Sequence, residues 1–329
     1  MALPGLDEVL ETLHVVALPL ATRFRGITVR EAAVFEGPSG WTEFSPFIEY
    51  QDAEASTWLA AAYDFGWGGL PELRRDSIRV NATVPAVAAA DVAGVLARFP
   101  GCRTAKVKVA EPGQSLAEDV ARVAAAREAF GPVGRIRVDA NGLWNVDEAE
   151  HAIHALAPYD LEYVEQPCTT IDELAELRAR LRDWDVAIAA DESVRKASDP
   201  LAVARAGAAD VLVVKAQPLG GIRAALAIVA EAGLPVVVSS AIDTSIGLAM
   251  GAFLAAAVPD LGYDCGLGTA ALLGADVTAS PLLPVDGAIP VARVSADAAL
   301  LAQHATSADR RDWWVQRITR CHQVLTARE

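Results

Sequence analysis

The chain is 329 residues long, 53% hydrophobic and 22% charged, a balance that excludes disorder and asks for a packed core. Its 28 basic and 43 acidic side chains give a net charge of −15, which disfavours nucleic acid and anionic membrane as partners. The length exceeds the usual single core, so one large barrel plus a smaller domain is expected.

Near the start, Asp7, Glu8 and Glu11 interrupt what would be the charged and apolar regions of a secretory signal, and none is expected. Residues 1–77 read as an α+β unit. Strands are predicted at 14–18, 26–36 and 41–44, with a hairpin at the turn-rich Glu36-Gly37-Pro38-Ser39-Gly40. An Ala-rich helix is expected near 53–63, and the unit is expected to cap a barrel mouth.

From 78 to 295 strands and helices alternate. Strand candidates fall at 79–84, 104–109, 135–139, 161–165, 186–190, 210–214, 235–239 and, weakly, 261–265, with helices between them, for example at 115–130 and 147–157. Ser115 and Glu118 form a capping box, and Asp147 suits an N-cap. Val211-Leu212-Val213-Val214 is apolar throughout, as expected of a strand covered on both faces. The predicted fold is α/β: a (β/α)8-type barrel with an α+β N-terminal capping domain, completed by C-terminal helices at 296–329 that return to it. The longest apolar stretch, 247–258, holds about a dozen residues against the roughly 20 that span a bilayer. Cys102, Cys168, Cys265 and Cys321 lie far apart without CxxC spacing, which points to reduced thiols and a cytoplasmic protein.

The chemistry-bearing residues stand at the strand ends: Lys106-Val107-Lys108, Val138-Asp139, Val164-Glu165, Ala190-Asp191, Val214-Lys215 and Ser239-Ser240. From 139 to 165 and from 165 to 191 is 26 residues; from 191 to 215 and from 215 to 239 is 24. A βα unit with short loops takes roughly 25 residues, so these groups converge on one mouth of the barrel. Any one of the acids reads equally well as a loop acid or helix cap. Three together repel unless a cation joins them, and an all-oxygen set favours magnesium or manganese over zinc.

Lys106 and Lys108 share a strand face, and Lys215 comes from about half-way around the barrel. Lysines opposed across a metal suit proton transfer at a carbon next to a carboxylate. To act near neutrality, a lysine must fall from ~10.4 to roughly 7–8 through burial and neighbouring positive charge.

This pattern resembles the enolase superfamily, over most of the chain. The resemblance implies Asp139, Glu165 and Asp191 as metal ligands, Mg2+ as cofactor with Mn2+ as a substitute, and Lys108 and Lys215 as the acid/base pair. Lys106, Asn141 and Glu192 would support them. Within the superfamily the likeness is to the o-succinylbenzoate synthase family in its actinobacterial form. It is carried by Thr22-Arg23-Phe24-Arg25-Gly26, Trp41-Thr42-Glu43-Phe44-Ser45-Pro46-Phe47 (where Gly is expected at Thr42), Arg137-Val138-Asp139-Ala140-Asn141 and Ser239 through Gly247. It implies a hydro-lyase that dehydrates 2-succinyl-6-hydroxy-2,4-cyclohexadiene-1-carboxylate to o-succinylbenzoate in menaquinone biosynthesis. Ser239, Ser240 and Arg25 would hold this small carboxylate substrate, with the 22–26 loop closing over it. A monomer or small homo-oligomer is expected.

Alternatives remain open. An N-acylamino-acid racemase or muconate-type cycloisomerase would use the same paired lysines; a dipeptide epimerase is disfavoured because Tyr263-Asp264-Cys265-Gly266 lacks Asp-x-Asp. A Schiff-base aldolase using Lys215 leaves the three acids unexplained, and a non-catalytic binder has no use for opposed lysines. His151 and His154 read as a surface pair, Gly220-Gly221 as a turn, and Trp144 and Trp313-Trp314 as packing residues.

Overall fold

The computed structural model describes residues 3–24, 26–196 and 199–328. Arg25, expected at the substrate, lies outside them.

Three antiparallel strands, β1 (His14–Phe24), β2 (Ile27–Gly37) and β3 (Gly40–Phe44), form the N-terminal sheet. The expected hairpin joins β2 to β3. The segment expected as a loop from Thr22 is the end of β1, with Phe24 paired to Ile27. Next comes the helix Asp52–Trp67, whose buried Trp58, Leu59 and Tyr63 meet Trp314, Ile318, Cys321 and Leu325 of the C-terminal helix Ala308–Thr326. The short helix Ala298–Gln303 adds Leu301 to a second cluster with Val16, Leu18, Val34 and Ile246. Thr42 is buried and donates from its hydroxyl to Ala62 O at 2.9 Å, so the residue found where Gly is expected serves packing between β3 and the helix. Trp314 is buried edge-on to Phe44 and donates to Glu31 at 2.8 Å, a packing role as expected.

The remaining strands are β4 (Ser77–Arg79), β5 (Ala82–Val84), β6 (Thr104–Lys108), β7 (Arg135–Asp139), β8 (Leu161–Glu165), β9 (Ala187–Ala190), β10 (Val211–Val214), β11 (Val236–Val238) and β12 (Ala288–Pro290). Strands β5 to β11 form one parallel sheet in chain order.

Two of the expected barrel strands differ in the structure. The strand expected at 79–84 is divided: β4 leaves the barrel to pair antiparallel with β12. The strand expected at 261–265 is reduced to single bridges, Cys265 to Val80 and Gly266 to Ser239, which close the ring. Pro259 and Gly262 break the extended run before it, and a Cβ at Gly266 would overlap the Ser239 hydroxyl.

Alternation along the strands decides what faces inward. Tyr163, Ala189, Val211, Val213 and Val237 pack together inside the barrel, whereas Val138, Val164, Ile188, Leu212 and Val238 join the layer under the helices. Two residues beyond the inward set come Glu165, Asp191, Lys215 and Ser239. The strand register therefore aims these side chains into the mouth.

Helix starts follow local chemistry. Ser115 and Glu118 make the expected capping box. The next helix, Val146–Leu156, is capped by Asn145 with Glu148, not by Asp147. Asn145 both accepts from and donates to Glu148 at 3.0 Å, satisfying two free backbone donors at once. Among the other motifs, His151 is exposed and His154 stacks on Trp184 at 4.2 Å. At Gly221 the following helix N-terminus is met by the Asp64 carboxylate, which accepts from Ile222 N at 3.1 Å.

All four cysteines are free thiols, and burial pushes Cys102 up to about 11 and Cys168, Cys265 and Cys321 up to about 12. Thiol titration at pH 8 is therefore expected to be slow in the native protein and to release all four thiols in denaturant. Fast native reaction of Cys168, Cys265 or Cys321 would contradict their burial.

Candidate active site

The mouth of the barrel holds a buried cluster of charge. Lys106 Nζ lies 3.0 Å from Asp139 Oδ2 and 2.7 Å from Glu165 Oε1. Lys108 Nζ lies 2.6 Å from the same Asp139 oxygen and donates to Asn141 Oδ1 at 2.7 Å. Across the barrel, Lys215 Nζ lies 2.5 Å from Asp191 Oδ2. The structure thus brings together Lys106, Lys108, Asp139, Glu165, Asp191 and Lys215, each no more than 9% exposed.

Asn141 and Glu192 sit beside them. Asn141 adopts φ of 49°, which its short polar side chain tolerates. Its backbone N–H donates to Asp139 at 3.0 Å and its amide to Glu192 at 3.3 Å. Ser239 and Ser240 line the same cavity, with Phe24, Phe47, Thr83, Ala241, Ile242 and Thr269 around them. Phe24 and Phe47 come from the N-terminal unit, and Phe24 lies 5.3 Å from Lys108 Nζ.

Burial raises the energy of every charge here, and the neighbours decide the outcome. Burial and then Asp139 push Glu165 up to about 7. Against burial, Lys106 and Lys108 hold Asp139 well below the usual carboxylate range. Lys215 and Arg195 do the same for Asp191. Burial lowers Lys215, with Arg195 and Lys106 adding to it and Asp191 opposing. Asp139 and Glu165 raise Lys106 well above its ordinary value despite burial.

Among the described residues, no three His, Cys, Asp or Glu side chains stand in ligand geometry, because ammonium groups lie between the acids. The donor chemistry nevertheless fits a hard divalent cation: three buried carboxylates, all oxygen donors, stand at the ends of adjacent strands.

Several residues were not found from sequence. Arg195 donates to Asp191 at 3.1 Å, Glu192 at 2.7 Å and Tyr50 at 2.9 Å. Its place four residues after Asp191 on a helical turn was the available signal. Gln166 accepts from the backbone N–H groups of Asp191 and Ser193. Tyr50 and Thr269 reach the site from distant segments, and no local pattern marks them; Phe47, which also lines the cavity, ends the Trp41–Phe47 motif.

Comparison with known proteins places these features in context. The model of the family described as Enolase C-terminal domain-like matches residues 88–295, and the Enolase N-terminal domain-like model matches 15–66. The chain is 57% identical over 324 residues to the o-succinylbenzoate synthase of Mycobacterium leprae, covering 98% of this chain and 95% of that one. With the o-succinylbenzoate synthase of Mycolicibacterium smegmatis it shares 56% over 323 residues, 98% of each chain. Among solved structures, a muconate lactonizing enzyme from Pseudomonas fluorescens complexed with muconolactone matches with a TM-score of 0.76 at 23% identity, over 90% of this chain and 98% of that one. The L-Ala-D/L-Glu epimerase from Bacillus subtilis matches with a TM-score of 0.72 at 24%, over 86% and 96%. At such identities these two speak for the fold alone.

Proposed function

The chain belongs to the enolase superfamily and, within it, to the o-succinylbenzoate synthases, and from that membership we propose how its residues carry out the reaction. It is a lyase that removes water from 2-succinyl-6-hydroxy-2,4-cyclohexadiene-1-carboxylate to give o-succinylbenzoate, a step of menaquinone biosynthesis. No described helix is long and apolar enough to cross a membrane, and we assign the enzyme to the cytoplasm.

The observation that carries the mechanism is the pair of opposed lysines, Lys108 and Lys215, each bonded to a different acid and facing one cavity. Lys108 takes the proton from the ring carbon bearing the carboxylate, and the electron pair moves into the enediolate. Protonated Lys108 then returns that proton to the departing hydroxyl, which leaves as water while the ring becomes aromatic. Lys215 faces the opposite side of the ring as a cation and stabilises the anion by charge and cation–π attraction. Asn141 orients Lys108 through its 2.7 Å hydrogen bond. Ser239 and Ser240 receive the succinyl carboxylate.

Asp139, Glu165 and Asp191 are proposed to hold Mg2+, for which Mn2+ substitutes. When bound, that cation acidifies the C–H next to the substrate carboxylate. Phe24 and Phe47 keep bulk water from the ring face.

Formation of o-succinylbenzoate, followed by ultraviolet absorbance, is the direct test. Turnover is expected with Mg2+, loss with EDTA, and recovery with Mg2+ or Mn2+. Absence of turnover in folded, Mg2+-loaded protein would refute the assignment. The opposed lysines would then favour racemisation of N-acylated amino acids, read as α-proton exchange in deuterated water.

A further inference from the structure

The segment after β11 supplies Ser239, Ser240, Ala241 and Ile242 to the cavity wall. Within it, Ile242 adopts φ of 59°, a left-handed conformation that a β-branched side chain rarely takes. Such a conformation persists only where its surroundings impose it. The groups that impose it come from the N-terminal sheet, about 200 residues earlier in the chain.

Arg30, on β2 and 3% exposed, donates from Nε to Ile242 O at 3.2 Å. The same guanidinium donates to Ser45 O and to Ser45 Oγ. Glu43, on β3 and fully buried, accepts from Ser45 Oγ at 2.5 Å. Its other oxygen accepts from Thr244 N at 3.1 Å, Thr244 Oγ1 at 2.5 Å and Gly247 N at 3.1 Å. Those are the cap and first turn of the helix Ser245–Ala257, so the carboxylate sits at its positive end. Gly247 allows the approach: a Cβ there would stand 2.8 Å from the Glu43 carboxylate. The buried Gln217, two residues beyond Lys215, extends the network by accepting from Ser45 N at 3.4 Å.

The strained loop is therefore gripped on both sides of Asp243, at Ile242 by Arg30 and at Thr244 by Glu43. We propose that Arg30 and Glu43 are positioning residues of the active site, which hold the 239–244 loop in the conformation that receives the substrate's succinyl carboxylate. The proposal rests on the reading of Ser239 and Ser240 as that carboxylate's receptors. On it, the N-terminal sheet is the frame of a binding subsite as well as a cover over the barrel.

The test compares wild type, Glu43→Gln and Arg30→Lys on the full substrate and on its analogue with the succinyl carboxylate as a methyl ester. Circular dichroism and Mg2+ titration establish that each variant is folded and loaded. On the full substrate the variants are expected to raise KM roughly tenfold or more, with kcat within about threefold of wild type. On the ester, which forfeits the interaction in every protein, wild type and variants should have nearly equal KM. Equal KM penalties on both substrates, or none, in a folded variant would overturn the clamp. Wild type that does not distinguish ester from acid would instead overturn the loop's role as receptor, and the clamp with it. If one variant fails to fold, the other carries the same comparison.

Discussion

Lys108→Ala will fold and bind Mg2+ but turn over the cyclohexadiene substrate at least ~10³-fold more slowly than wild type. A positioned general acid or base is worth about 10²–10⁴, and in the proposed mechanism one amine serves both proton transfers, so the loss belongs in the upper part of that range. The fold should survive because Asp139 keeps Lys106 at 3.0 Å as a counter-ion. Asn141 loses its hydrogen bond to the amine, but its amide keeps Glu192 and its backbone keeps Asp139. Lys108→Arg should be as inactive as the alanine variant, because arginine keeps the charge and cannot give up the proton near neutrality. Steady-state absorbance measurements on both variants decide the matter. Activity of Lys108→Arg within tenfold of wild type would mean that charge, not proton transfer, is the contribution, and the assigned base would be wrong.

Glu165→Gln is expected to weaken Mg2+ binding at least about a hundredfold, the upper end of what even outer-shell partners of a metal contribute, and to reduce turnover accordingly. Glu165 lies on β8, paired in register with Asp139 on β7 and with Ala189, two residues before Asp191, on β9. Burial and Asp139 together push it up to about 7, against the pull of Lys106 and Lys215. Lys106 is its ion-pair partner among the described residues, and Tyr163 reaches it only at 3.5 Å. Glutamine fills the same volume and removes the charge, so the barrel should remain folded. Calorimetric titration with MgCl2 reads the effect. An unchanged affinity would remove Glu165 from the ligand set and, with it, the reading of the three strand-end acids as one site.

The two predictions differ in what they depend on. In the proposed mechanism Lys108 acts through one atom at one distance, and a single substitution removes it. As a proposed ligand Glu165 would act through a sum of charges, and Asp139, Asp191, Lys106 and Lys215 all contribute to the field on its carboxyl. Double variants within this group should therefore be non-additive.

The local sequence determined a large share of this molecule. The βα period, set by strand and helix lengths that short-range patterning fixes, puts Asp139, Glu165, Asp191 and Lys215 at strand ends without reference to any long-range contact. Strand alternation then required Lys106 and Lys108 to share a face. Capping is equally local: Ser115 announces its helix because the bonds it makes lie within one turn. At the next helix the cap is Asn145, two residues before Asp147, because Asn145 closes a box with Glu148 and Asp147 has no such partner.

Tertiary structure decided the rest. The eighth strand failed because closure of the ring needs only Cys265 and Gly266, and the space beside Ser239 admits no side chain at 266. Strand β4 was drawn away by β12, more than 200 residues later, a pairing that no window of sequence contains. The roles of Tyr50, Arg30 and Glu43 were legible only in three dimensions. Each acts by closing a hydrogen bond between segments whose separation in the chain carries no periodic signal. A barrel repeats, so its strand ends can be read from spacing; a capping domain meets the barrel once, and the contacts made there follow from the packing of both.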